Sequence, residues 1–66
     1  MHVLHEERAD AVLEAARREH AAWTDLERAI RPDAADEAAI RAYRERWRLA
    51  SRRLIEALEA LKNVRR

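Results

Sequence analysis

A spacing of alternating threes and fours, written twice about a single proline, dictates what this chain can fold into. Core-type positions fall at residues 5, 9, 12, 16, 19, 23, 26 and 30, and again at 40, 43, 47, 50, 54, 57, 61 and 64; Pro32, the only proline, lies between. Residues so spaced share one face of an α-helix and suit helices packed against each other. The pattern predicts an all-α fold, an antiparallel two-helix hairpin occupying residues 1–66 as one domain. Helix 1 is expected over about 3–30, the turn over 31–33 and helix 2 over about 34–63.

The charges at the helix ends agree with this reading. Glu6, Glu7 and Asp10 crowd the first turns of helix 1, and Arg28 and Arg31 close it, as the helix dipole prefers. Pro32 pushes Arg31 out of the helical region. Asp33 is the expected N-cap of helix 2, with Asp36 and Glu37 in its first turn and Lys62, Arg65 and Arg66 at its end. Folding the chain about Asp33 brings residues whose numbers sum to 66 face to face: Leu26 with Ile40, Trp23 with Tyr43, Glu19 with Trp47, Ala16 with Ala50, Val12 with Leu54, Ala9 with Ala57 and His5 with Leu61. Each stripe position then meets a stripe position, and the midpoint falls on the expected turn.

Two such helices cannot enclose a core between themselves, and a chain of 66 residues needs a staple, a metal or a partner. There is no cysteine, hence no disulfide and no thiolate metal site. Association is the remedy that remains. Leu13, Leu49, Ile55 and Leu58 lie beyond the stripe, and Ala15, Ala22 and Ala29 run along one flank of helix 1; on a lone hairpin they would form an exposed apolar patch. A second hairpin completing a four-helix bundle would cover it. The expected interface residues are Leu13, Trp23, Trp47, Leu49, Ile55 and Leu58, in a homo-oligomer for which a dimer is favoured, or against another protein. The segment Asp33-Ala34-Ala35-Asp36-Glu37-Ala38-Ala39-Ile40 resembles the turn of the Rop type of hairpin, a similarly short two-helix chain that dimerises into a four-helix bundle and binds RNA. The resemblance covers the turn alone and implies an architecture; no RNA-binding position is carried over from it.

The net charge of +1 gives no global field toward nucleic acid or membrane, and no apolar run reaches the ~20 residues that span a bilayer. Met1–Glu7 lacks the basic and then apolar pattern of a secretory signal, so a cytoplasmic setting is expected. Arginine outnumbers lysine 13 to 1 and alanine occurs 15 times. A GC-rich genome or computational design would each produce that skew; Thr24, Ser51 and Asn63 favour natural origin.

Glu19 is the sharpest anomaly, a carboxylate at a core-type position. It is either a perturbed acid able to act as base or ligand, or a seam polar residue that fixes register by leaning out to Arg46 or Arg44 of helix 2. The cost of burying a bare charge favours the second. His2 and His5 share one helix face and could begin a metal site, with Glu6, Glu56 or Glu59 near His5, but zinc wants four ligands. Incidental histidines at a solvated terminus are the simpler reading, and no cofactor is expected. His20 is expected to cover apolar surface beside Trp23. Trp23, Tyr43 and Trp47 could stack a planar ligand, yet all three lie on the stripe and read as core. Between Arg41 and Arg53 stand six arginines against one acid, Glu45. Arg41, Arg44, Arg48 and Arg52 are the candidate nucleic-acid contacts; the competing reading neutralises these arginines with the acids of helix 1.

No catalytic set, glycine-rich loop or metal quartet is present in the sequence, and enzyme activity is not expected. The expected role is an oligomerisation or protein–protein interaction module, as an assembly or regulatory subunit. A nucleic-acid-binding hairpin is the alternative, followed by a designed bundle or a metal- or ligand-binding bundle using His2, His5 and Glu19.

Overall fold

A computed structural model of the chain describes residues 3–31 and 36–63, with the side chains of residues 6–31 and 36–63. It is all-helical: α1 spans Val3–Ala29, α2 spans Glu37–Lys62, and the two pack against each other as a hairpin. Its extents are 53 × 13 × 11 Å, so the molecule is two helices wide and one helix thick.

The helix ends follow local chemistry. Glu6 lies in the first turn of α1 and Arg28 in its last, and Glu37 and Lys62 hold the same places in α2, each charge complementing the nearby end of the helix dipole. Beyond Ala29 the backbone tightens: the Ile30 amide donates to the carbonyls of Leu26 (3.1 Å) and Glu27 (3.3 Å). The N-cap of α2 is Asp36, not Asp33. Asp36 has extended backbone angles, and its Oδ1 accepts from the amides of Ala38 (3.0 Å) and Ala39 (3.5 Å). The chain offers two aspartates three residues apart, and the helix starts at the second because that carboxylate reaches the free amides. α2 therefore begins three residues later than the spacing predicted. Asp33 itself lies outside the described residues.

The register follows the facing pairs. Trp47 Nε1 donates to Glu19 Oε2 at 2.8 Å, joining residues 28 apart in sequence at the level where their numbers sum to 66. Near the open end, Arg8 reaches across to donate from Nη1 to the Ala60 carbonyl at 3.0 Å. That carbonyl belongs to the last turn of α2, where no amide within the helix remains to take it.

The interior is thin. Leu26, 5% exposed, is the single buried residue among those described. Val12, Ala16, Ile40, Tyr43, Trp47, Ala50, Leu54, Ala57 and Leu61 face the partner helix but stay half-buried. One helix cannot cover the whole stripe of another, and alanines at Ala9, Ala16, Ala50 and Ala57 bring little area to the seam.

Candidate functional site

The candidate sites that the described residues offer lie on the surface and along the seam. Three features stand out: a polar lock in the seam, an arginine stripe, and a set of bulky apolar side chains left outside.

The lock replaces the pairing that the sequence suggested. Glu19 does not lean out to Arg46 or Arg44; it accepts from the indole of Trp47, and both side chains are half-buried. The reason is geometric. At about 100° per residue, Arg46 and Arg44 project roughly 100° and 60° away from Trp47 around α2, on opposite flanks of the seam. Arg46 instead lies over the Tyr43 ring, 5.1 Å from its centroid, a cation–π contact at the rim. Trp23 and Trp47 meet with ring centroids 5.4 Å apart and planes tilted by 55°. The aromatic group is thus assembled, but it is not all core: Trp23 is 39% exposed, while Tyr43 and Trp47 are half-buried.

The expected neutralisation of α2 by the acids of α1 is not what the described side chains do. Their ion pairs, Glu14 with Arg17 and Arg18, Asp25 with Arg28, and Glu45 with Arg48, all lie within one helix, at 3.2–3.9 Å and on exposed surface. An acid three or four residues away on the same helix is closer than any across the seam, and the outer faces of both helices point away from each other. Arg41, Arg44, Arg48 and Arg52 are all exposed. They fall within an arc of roughly 80° around α2 and form a single stripe, although the six arginines of the segment taken together spread more widely.

Among the proposed interface residues, Leu13, Trp23, Leu49, Ile55 and Leu58 are 39–59% exposed, and Ile30 joins them at 51%. The spacing places Ile30 on the seam, but it stands past the end of α1 and is exposed. On one flank, a half-open cavity of ≈ 370 Å³ lies between the helices, lined by Ala11, Glu14, Ala15, Arg18, Ala50 and Arg53. Its walls are alanine methyl groups and arginine stems, and Glu14 is already engaged by Arg17 and Arg18.

His2 lies outside the described residues, as does the side chain of His5, and among the described residues no cluster of three or more His, Cys, Asp or Glu is placed to hold a metal ion. His20 is exposed. No described helix is long and apolar enough to cross a membrane. No protein-family model, curated protein or solved structure matches the chain.

Proposed function

We propose that this hairpin is a non-enzymatic association module that completes its core by pairing with a second copy of itself into a four-helix bundle, serving as an assembly or regulatory subunit. The observation that carries the reading is the mismatch between inside and outside: Leu26 alone is buried among the described residues, while Leu13, Trp23, Ile30, Leu49, Ile55 and Leu58 remain 39–59% exposed. Apolar burial stabilises in proportion to the area removed from water, and with the other stripe residues only half-buried the seam offsets only part of the cost of ordering a chain of this length. Pairing two hairpins buries further apolar area from both.

Sedimentation velocity or light scattering at micromolar chain concentration tests this directly, with a dimer expected and a concentration-independent, folded monomer refuting it. Thermal unfolding gives a second measure. A dimer of about 132 residues absorbs roughly 90 kcal/mol on unfolding, so each tenfold rise in concentration should lift the midpoint by about 5–6 °C. A midpoint that does not move refutes coupled folding and association.

A second reading, nucleic-acid binding, is favoured by one specific observation. Arg41, Arg44, Arg48 and Arg52 share an exposed stripe, and none is paired to an acid of α1 among the described residues. Four phosphate contacts would give log K a slope near −3 to −4 against log salt. Filter binding of a mixed-sequence RNA at ~0.15 M salt is expected to be weak. Sub-micromolar affinity lost on Arg41→Glu with Arg48→Glu would place this reading first.

A further inference from the structure

We infer that the second copy seats on one particular face of the hairpin, the face carrying Leu13, Ile55 and Leu58, with each α1 lying along the partner's α2 and both interhelical connections at the same end. This rests on the self-association proposed above and specifies its geometry.

The hairpin has two broad faces, and the cavities between its helices identify one of them. Ala11 and Ala15 of α1 adjoin Ala50 and Arg53 of α2 there, and farther along the same flank Ala29 adjoins Ala39 and Tyr43. At about 100° per residue, Leu13 lies roughly 160° around α1 from Ala15, and Ile55 lies roughly 160° around α2 from Arg53. Leu58 falls roughly 140° from Arg53, on the same side as Ile55. These three bulky residues, 46–59% exposed, therefore crown the face opposite the alanines. Leu49, roughly 40° from Arg53, belongs to the alanine side.

The area is right for a second copy. The chain exposes 5627 Å², whereas a compact 7.8 kDa protein exposes about 4,400 Å². The excess of about 1,200 Å² exceeds the ~800 Å² that each partner contributes to a standard interface. Its radius of gyration, 15.3 Å, against about 11 Å for a compact chain of this length, reflects an elongated shape of 53 × 13 × 11 Å that leaves two flat faces along its length. Of these, the Leu13 face holds the larger side chains; arginines border both faces, Arg18 and Arg53 lining the alanine side and Arg44 and Arg48 each lying roughly 20° from Ile55 around α2, so side-chain size decides between them.

A two-fold axis can relate two such faces in two ways. The Glu19–Trp47 contact sets residues summing to about 66 at one level, which puts Leu13 within one turn of Ile55. With the axis along the helices, α1 lies beside the partner's α2. Leu13 then meets the partner's Ile55, and Leu58 meets the partner's Ala9, large against small, each contact made twice. With the axis across the helices, Leu13 falls beside the partner's His20 and Ile55 beside the partner's Arg44. Only the first arrangement matches apolar with apolar.

The chain has no cysteine, so a single substitution places a spin label cleanly. Arg28→Cys, on the exposed surface near the end of α1, should give an inter-chain distance of roughly 20–25 Å by double electron–electron resonance if the connections share one end. The crossed arrangement gives roughly 35 Å or more, since each label then sits about 17 Å from the midpoint in opposite directions. In parallel, Leu13→Asp with Ile55→Asp should raise the dimer Kd at least tenfold, whereas Ala11→Glu with Leu49→Glu on the alanine face should leave it within about threefold. Leu13→Ser with Ile55→Ser gives the same comparison if the aspartates leave too little folded chain. A native dimer with the long distance, or one dispersed by the alanine-face pair and spared by the Leu13–Ile55 pair, overturns this geometry while self-association stands. A native chain monomeric at all concentrations overturns both.

Discussion

The Glu19–Trp47 lock lends itself to a quantitative test by a double-mutant cycle pairing Glu19→Ala with Trp47→Phe. The donor and acceptor lie 2.8 Å apart and join the two helices across the seam. A hydrogen bond to a charged group contributes about 1.5–3 kcal/mol net when well buried. Both partners here are half-buried, so water competes on one side and about 1–2 kcal/mol is expected per chain. The single substitutions will not report that figure. Trp47→Phe also trims the ring that packs 5.4 Å from Trp23, an aromatic contact worth about 0.5–1.5 kcal/mol in its own right. Glu19→Ala meanwhile improves helix propensity slightly. The cycle removes these side effects and leaves the coupling. The assay is urea unfolding followed by far-UV circular dichroism, with all four proteins at one chain concentration so that mass action cancels. A coupling below ~0.3 kcal/mol, the scatter of independent sites, would show that the indole and carboxylate do not stabilise each other and would remove the lock from the account of register. Glu19→Leu should cost only about 1 kcal/mol, the worth of an indole N–H left partly to water.

Other expectations follow from the same contacts. Asp36→Ala should lower stability by about 1 kcal/mol through loss of the α2 cap; a urea midpoint unchanged from wild type would put the start of the helix elsewhere. Arg8→Ala should cost about 0.5–1.5 kcal/mol and speed amide hydrogen exchange in the last turn of α2, where the Ala60 carbonyl loses its donor; protection left intact there would refute the strap. The ion pairs of the described residues are exposed and intrahelical. Raising sodium chloride from ~0.1 to ~1 M should therefore weaken the fold by no more than about 1 kcal/mol, and a larger loss by urea titration would reveal charge pairs between helices or between chains.

The level of the Glu19–Trp47 contact was legible in the sequence, because stripe periodicity and the position of Pro32 together imply a register; Trp23, expected opposite Tyr43, instead meets Trp47 one turn along. Glu19 and Trp47 stand opposite each other at the level that the spacing implies. The partner of Glu19 was not legible. Spacing gives a residue's height and face, but the choice among donors at that height depends on which side chain points inward, and Trp47 does so where Arg44 and Arg46 diverge. The cap was ambiguous for a related reason. Asp33 and Asp36 are chemically identical candidates, and only the path of the backbone decides which carboxylate meets the free amides of Ala38 and Ala39. Charge counts misled most. They correctly found acids on one helix and arginines on the other, yet two helices in a hairpin touch along one stripe each, and the acids nearest the arginines in space are those on the same helix.

The apolar residues outside the stripe carry a different kind of information. Leu13, Ile55 and Leu58 contribute little to the hairpin, and exposing side chains of that size to water costs solubility without return. Small residues at Ala9, Ala16 and Ser51 between them leave the face uneven, with large and small positions at matched heights. A hairpin selected to remain alone would gain from polar residues at these places, and this chain uses charged residues freely elsewhere, at 41% of its length. The pattern fits a sequence whose folded state extends beyond one chain. On that view, stability and assembly are one equilibrium, and a substitution at Leu13 or Ile55 should lower the unfolding midpoint as well as the dimer mass.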